Sequence, residues 1–394
     1  MDLGFEGGFS CLEAEVNEDM ASEWIVDSRP DGTVVLAETG FETVFACDVL
    51  PYAKRAWDNR FSKRRDVDGV YRLGSVVDFV KSARNGDFSF PSGISVVTGG
   101  FPCNDFSVSG LRKGFESSKT HLGKKNDGSV PREESRGNLY LWMREVVSIV
   151  EPDVFVAENV KGLVSLGDAK ERIERDFAVA GGGYLVVPAR VLYAPDYGVP
   201  QSRSRVLFIG FRKSRLLPDA LDALSSDPIS SDYDPYPSPT HGDGLKPYVV
   251  SKVALDGLPE PERANDPAQR AFSGGKYMGN GTQGQTEVKL DSVAPTIRAE
   301  HHGNVEFRRL SAEHGGKHDA ELADGLAERR LTVRECARIQ TFPDDYEFVL
   351  PKDGNAPAVS AGSAYRIIGN AVPPLLAYAV AKNFEKKWKR WFGS

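Results

Sequence analysis

Short apolar runs of strand length, each followed by a loop or a stretch with helical periodicity, recur through the first half of this chain. Thr43-Val44-Phe45-Ala46-Cys47 leads through Asp48 to a helix beginning near Pro51, where the fixed φ of proline suits a first helical turn. Ile94-Ser95-Val96-Val97-Thr98 leads into a glycine-flanked loop. Asp153-Val154-Phe155-Val156-Ala157 leads into Glu158-Asn159-Val160, and Arg205-Val206-Leu207-Phe208-Ile209-Gly210 forms a further run. Between the second and third runs, apolar residues at helical spacing cover Asn138 to Val150. Strands this apolar must be shielded on both faces. The pattern therefore restricts the chain to an α/β fold, a doubly wound and mostly parallel sheet with helices on either side.

At 394 residues the chain can bury a large core and form two domains. With 40% hydrophobic and 27% charged residues it belongs among globular rather than disordered chains. No apolar run approaches the roughly 18 residues of a membrane span, and no secretory leader is visible. Cys11, Cys47, Cys103 and Cys336 are too scattered for a zinc site or a disulfide framework, and His301-His302 lacks metal-ligand spacing. No metal site is expected, and a reduced, cytoplasmic setting fits this cysteine usage. A net charge of −7 argues against an indiscriminate nucleic-acid binder. It does not exclude an enzyme with a local basic face. Arg112, Lys113, Lys119, His121, Lys124, Lys125, Arg132 and Arg136 form one such cluster, though these residues suit a plain solvated loop equally well.

The character of the chain shifts near Arg215. Residues 216–330 are rich in Pro, Gly, Ser and Asp, and the stretch Asp227 to Gly244 carries four prolines. Order returns at Leu331 with the helix-like Arg334-Glu335-Cys336-Ala337-Arg338-Ile339, and Pro373 to Trp391 reads as an amphipathic helix. The expected division is a catalytic domain over 1–215, to which 355–394 returns, and a smaller loop-rich domain with its connecting segment over 216–354.

Five segments carry chemistry. Gly99-Gly100-Phe101-Pro102-Cys103-Asn104-Asp105-Phe106-Ser107 delivers a thiol from the end of a strand into a loop. Glycines there permit close approach to a ligand, Pro102 sets the turn, and an ionised cysteine is a strong nucleophile. Taken alone, the same residues also describe a buried structural cysteine. Glu158 follows a strand at the carboxyl edge of the sheet, where α/β ligand sites form, or else caps a helix. In Gln201-Ser202-Arg203-Ser204-Arg205 the two arginines point the same way, and they could equally be surface cations. Arg330-Leu331-Thr332-Val333-Arg334-Glu335-Cys336-Ala337-Arg338 precedes Phe342-Pro343, and Gly369-Asn370-Ala371-Val372-Pro373-Pro374 opens the last helix. Asp48, after its own strand, is placed to accept bonds from ribose hydroxyls.

In this order the five segments resemble the DNA (cytosine-5) methyltransferase family of bacterial restriction-modification systems, over roughly 1–215 and 330–394. The resemblance implies an S-adenosylmethionine-dependent fold with a target recognition domain. It implies methyl transfer to C5 of a flipped-out cytosine in a specific double-stranded DNA sequence, through a bond from Cys103 to ring C6. Glu158 would hold or protonate ring N3, while Arg205, with Arg203, would bind the base O2 and organise the loop. Asp48, Val49, Pro102, Asn370 and Val372 would line the cofactor pocket. Asn104, Ser107, Thr296 and Arg298 would contact DNA, with His301, His302 and Asn304 as further readers of base edges. A monomer acting beside a cognate restriction endonuclease, away from membranes, is implied. A DNA-binding relative with impaired catalysis and an RNA cytosine-5 methyltransferase are the alternatives.

The chain departs from the family at four places. Family members open with an apolar strand and a glycine-rich loop that contacts the methionine part of the cofactor, whereas Asp2-Leu3-Gly4-Phe5-Glu6 resembles the helix just after that loop. Met1 is accordingly expected to be an internal methionine of a longer protein, or else this form binds cofactor poorly. Asn104 stands where glutamine is commoner, and 117–134 looks like a basic insertion that contacts phosphates. Gly74-Ser75-Val76 aligns with the third cofactor segment, with Ser75 where an aspartate is common.

Overall fold

The computed structural model describes residues 1–101, 138–279, 284–299 and 305–393. From the amino end, helix α1 (Asp2–Glu6) leads to strand β1 (Ser10–Leu12), helix α2 (Glu18–Ala21) and strands β2 (Ile25–Ser28) and β3 (Thr33–Leu36). Then follow β4 (Ala46–Asp48), α3 (Pro51–Phe61), β5 (Tyr71–Leu73), α4 (Val76–Asn85) and β6 (Val96–Gly100). Beyond Asn138 come α5 (Tyr140–Val150), β7 (Val154–Val160), α6 (Ala169–Ala178), β8 (Tyr184–Val186), β9 (Arg190–Tyr193) and β10 (Ser204–Arg212). The rest comprises α7 (Pro218–Leu224), α8 (Ser251–Leu255), α9 (Pro267–Arg270), β11 (Phe307–Arg309), α10 (Asp319–Ala323), β12 (Arg329–Arg330), α11 (Val333–Ile339), α12 (Ala361–Asn370) and α13 (Pro374–Phe392).

The central sheet runs β6-β7-β10-β8, with β9 also on β10. β6 is parallel to β7, whereas β10 is antiparallel to β7, β8 and β9. The sheet is thus mixed. Both its faces are covered, as the apolar runs require. Val154, Val156, Leu207, Ile209 and Phe211 join a core that includes α13, while Phe155, Ala157, Val206 and Phe208 join a second core with α5 and α6. Alternate residues of one strand enter opposite cores, which is why the run shows no polar face.

Several boundaries differ from expectation. Thr43, Val44 and Phe45 lie outside β4, and Val44 is exposed. β6 starts two residues late and extends through both glycines, and β7 runs on through Glu158, which therefore sits inside a strand rather than after it. β4 and β5 pair in parallel as a two-stranded unit apart from the central sheet. The antiparallel sheet β1-β3-β2 was not anticipated, because its strands are only three or four residues long and β2 is largely exposed. Ala220, Leu224, Ala254, Val288 and Val305 belong to the same core cluster as α13, so apolar packing is continuous across residue 215.

Candidate active site

The register of β6 on β7 sets Gly100 opposite Glu158, three residues ahead of Cys103 in sequence. A Cβ at position 100 would stand 3.1 Å from Glu158 Oε2, so the glycine leaves room for the carboxylate and whatever it meets. The other oxygen, Oε1, is 2.6 Å from Arg205 Nε, and both side chains are nearly buried. In so dry a place a paired carboxylate and guanidinium are held firmly, since separating them would leave a buried charge alone. Arg205 Nη1 also donates to the Ser204 carbonyl at 2.9 Å. Asn159, next in the strand, donates from Nδ2 to the Phe101 carbonyl at 3.0 Å and accepts from the Val160 N–H at 2.8 Å. It thereby holds the backbone that delivers the Pro102-Cys103 pair.

Arg203 and Arg205 do not act on one target. Arg203 precedes β10 and is fully buried. Its Nη1 donates to the Ile297 carbonyl at 3.0 Å, and its Nη2 to the Gly369 and Ala371 carbonyls at 2.7 and 2.8 Å. Those carbonyls draw the guanidinium away from Glu158. Gln201 works with it: Oε1 accepts from the Ile297 N–H at 3.1 Å, and Nε2 donates to Gln340 Oε1. Gln340 in turn donates to the Ala371 carbonyl at 2.6 Å. Backbone bonds between Ser202 and Ala294 (2.7 Å) and between Ala294 and Pro200 (3.0 Å) zip 294–297 along 200–203. Thr296 is fastened within this seam, its hydroxyl donating to the Ser202 carbonyl, while Arg298 just beyond is exposed. Gly369 meets the same strip, for a Cβ there would lie 2.5 Å from Arg298 C.

At the carboxyl end of β4, Asp48 Oδ1 accepts the Leu50 N–H at 3.0 Å. Burial raises its carboxyl above the usual range, opposed by the Leu50 and Val49 N–H groups and by Arg366. Val49 and Leu73 leave 43% and 50% of their surface exposed, unusual for large apolar side chains beside a carboxylate. Ser75 caps α4, its buried hydroxyl accepting the Val77 N–H at 3.2 Å. Asp48, Gly99, Gly100, Phe101, Ala371 and Val372 all border a cavity of about 810 Å³. Asn370 ends α12 and is exposed. Burial pushes the Cys47 thiol up to about 12 and the Cys11 and Cys336 thiols well upward, so none of these three is an activated nucleophile.

Residues 32–386 match the model of the family described as C-5 cytosine-specific DNA methylase. The chain belongs to this family. It is 33% identical to the Type II methyltransferase M.BspRI of Lysinibacillus sphaericus, over 97% of this chain and 78% of that protein. It is 31% identical to M.BsuRI of Bacillus subtilis, over 97% of this chain and 76% of that protein. A proposed DNA modification methyltransferase encoded within an Escherichia coli prophage shares the fold, with a TM-score of 0.51 and 20% identity over 88% of this chain and 92% of that one.

Members of the C-5 cytosine methylase family use S-adenosylmethionine as methyl donor, and the residues present fit it. Asp48 and Val372 border the cavity, Asp48 offers a carboxylate to hydroxyls, and Val49, next to it in the chain, and Leu73, its partner across the β4–β5 ladder, carry exposed apolar surface. Pro102, Cys103, Asn104, Ser107, the basic cluster with the 117–134 insertion, and His301, His302 and Asn304 lie outside the described residues. The sequence reading passed over Asn159, Gln201 and Gln340 as site residues. An amide inside an apolar strand was the available signal for Asn159, because a buried amide must find partners. Nothing local marked the two glutamines, whose partners stand 139 positions apart. Among the described residues no helix is long and apolar enough to cross a membrane.

Proposed function

We propose that this methylase transfers a methyl group to C5 of a cytosine flipped out of double-stranded DNA, as the modification partner of a restriction endonuclease. The carrying observation is the Gly100–Glu158 register with the Glu158–Arg205 pair, which puts an acid and a cation at the strand end that leads to Cys103. Because ring C6 is hidden in stacked DNA, the base must leave the duplex to reach them.

Cys103 attacks C6 as the thiolate. Glu158, entering the step with a proton on the oxygen not held by Arg205, gives it to ring N3, so no negative charge accumulates as the carbon–sulfur bond forms. Arg205 donates to the base O2. The resulting neutral enamine is nucleophilic at C5. Bound S-adenosylmethionine supplies an electrophilic methyl group on sulfonium sulfur, held by Asp48 at the ribose and by Val49 and Val372 at the ring. Loss of the C5 proton to a base then expels Cys103 as thiolate and returns the N3 proton, restoring the aromatic ring and the enzyme. Arg203 is a positioning residue in this scheme: it fastens the 294–297 strip, with Thr296, to the Gly369–Ala371 turn. Arg298, exposed beyond that seam, faces the DNA.

The test is covalent trapping on a mixed-sequence duplex in which 5-fluorocytosine replaces cytosine, since fluorine cannot leave as a proton. With S-adenosylmethionine present, a denaturant-resistant complex through Cys103 is expected. Cys103→Ser should bind the same DNA without forming it. An adduct that survives Cys103→Ser, or none on any duplex, overturns the reading.

A further inference from the structure

The end of the central sheet that carries Glu158 and Arg205 has a second face. Val156, Leu192 and Leu207 belong to the core that includes α13. Glu158 follows Val156 by two residues, Arg205 precedes Leu207 by two and stands opposite Leu192, so the acid and the cation lie on that side. The opposite side ends differently. Val160 pairs with Arg205, one step outward stand Lys161 and Ser204, and Tyr193 on β9 pairs with Ser204. The Tyr193 hydroxyl donates to Ser202 Oγ at 3.2 Å. Neither segment needs that bond to stay in place. The Ser202 N–H already donates to the Ala294 carbonyl at 2.7 Å, and its own carbonyl accepts from Thr296. Tyr193 is held by its ladder and by the edge of Tyr248, 6.1 Å between centroids, whose hydroxyl donates to Asp196 Oδ1 at 2.8 Å. What the bond does is polarise Ser202 Oγ and leave its own proton free to donate. Ser202 and Lys161 are both exposed; among the described residues that hydroxyl donates to nothing and Lys161 makes no ion pair.

We propose that Lys161 and Ser202 each hold a phosphate of the DNA strand that carries the target cytosine, with Tyr193 as the positioning residue that turns the Ser202 proton outward. The proposal rests on the DNA reading above and adds to it the residues that grip the backbone beside the flipped base. The dimensions agree. From Lys161 at the end of β7 to Tyr193 on β9 is two strand spacings, about 10 Å. One DNA strand advances about 3.4 Å per nucleotide, so this rim matches about three nucleotides, the flipped one and a neighbour on each side. The chemistry agrees as well. Phosphate oxygens only accept, and an ammonium and a hydroxyl with a free proton are donors of the kind that fix a duplex in register without reading its sequence. Glu158 and Arg205 neutralise each other and draw no phosphate. In a chain of net charge −7, a cation without a counter-charge at this rim is what lets a polyanion settle there.

The experiment uses the full chain and a mixed-sequence DNA duplex, with affinity measured across a salt series. Lys161→Gln should reduce the slope of log affinity against log salt by about one, and Lys161→Arg should restore it. Ser202→Ala should weaken binding about tenfold, the loss of one bond to a charged group, and leave the slope as it was. Tyr193→Phe should weaken binding about threefold by itself and add nothing to Ser202→Ala, because it acts through that hydroxyl. A tyrosine with a structural role alone would lower the melting temperature and leave affinity untouched. An unchanged slope in Lys161→Gln, an unchanged affinity in Ser202→Ala, or equal losses from Tyr193→Phe with and without the serine overturns the proposal. None of these readouts requires turnover. A failed Cys103 trap with the three losses intact would discard the methyl-transfer reading and keep the backbone grip, so the two fail separately.

Discussion

At the residue scale the proposed chemistry turns on how Glu158 divides its two oxygens. Arg205 takes Oε1 at 2.6 Å, and the missing side chain at Gly100 leaves Oε2 its space. Glu158→Gln keeps an oxygen for Arg205 but has no acidic proton to give. Methyl transfer in a single turnover should fall about 10²- to 10⁴-fold with the melting temperature nearly unchanged. Glu158→Ala instead leaves the buried guanidinium alone, which destabilises by about 3–5 kcal/mol and should show as a lowered melting temperature. If Gln and Ala variants lose equal stability, the pair is structural rather than catalytic. Asn159→Ala removes the amide donor from the Phe101 carbonyl. Slower transfer with unchanged DNA affinity is expected, because only the approach to Cys103 loosens.

At the element scale the join between residues 294–299 and the last helices depends on fit. Gly369 lies where the 298–299 backbone passes, and any Cβ there must push it aside. Gly369→Ala should therefore destabilise by about 1–3 kcal/mol, read by denaturant unfolding, whereas alanine at the exposed Gly274 has nothing within 4 Å to displace. α11 is secured locally. Thr332 accepts the Glu335 N–H at 3.0 Å while Glu335 accepts the Thr332 N–H at 2.8 Å, the reciprocal capping box that the Thr332-Val333-Arg334-Glu335 spacing encodes. Arg329 then grips Glu335 with two nitrogens, at 2.8 and 2.9 Å. A helix of seven residues survives here through its cap and this ion pair rather than through length.

At the scale of the whole molecule, two carboxyls give stability opposite pH slopes. Burial alone would raise Glu260, but bonds and charge from Arg329 and Arg309 outweigh it and lower its carboxyl to about 2. A depressed folded value adds stability above the ordinary carboxyl range, and this is lost as pH falls toward 2. Glu15 is the reverse: burial lifts it to about 8, with the Leu12 N–H only partly opposing. Folding therefore weakens as pH rises from about 4.5 to 8, the interval in which the unfolded chain alone releases that proton. Glu15→Gln should flatten the decline of melting temperature across that interval, and an unchanged slope would remove Glu15 as its source. For DNA association, neutralising Lys124 and Lys125 should reduce the slope of log affinity against log salt by about two.

The sequence by itself determined the layered α/β plan and the order of the reactive segments. Buried strands must be apolar on both faces, and the Cys103, Glu158 and Arg205 segments each stand out beside such a run. It also encoded the caps, because hydrogen bonds between neighbours in the chain depend on spacing alone. The tertiary structure decided what depends on distant partners. It turned β10 against β7, separated Arg203 from Arg205 by giving one the carbonyls at 297, 369 and 371 and the other Glu158, and brought Asn159 beneath Phe101. The two arginines have the same side chain two positions apart, and their roles differ because backbone carbonyls from remote segments compete for one guanidinium and not for the other.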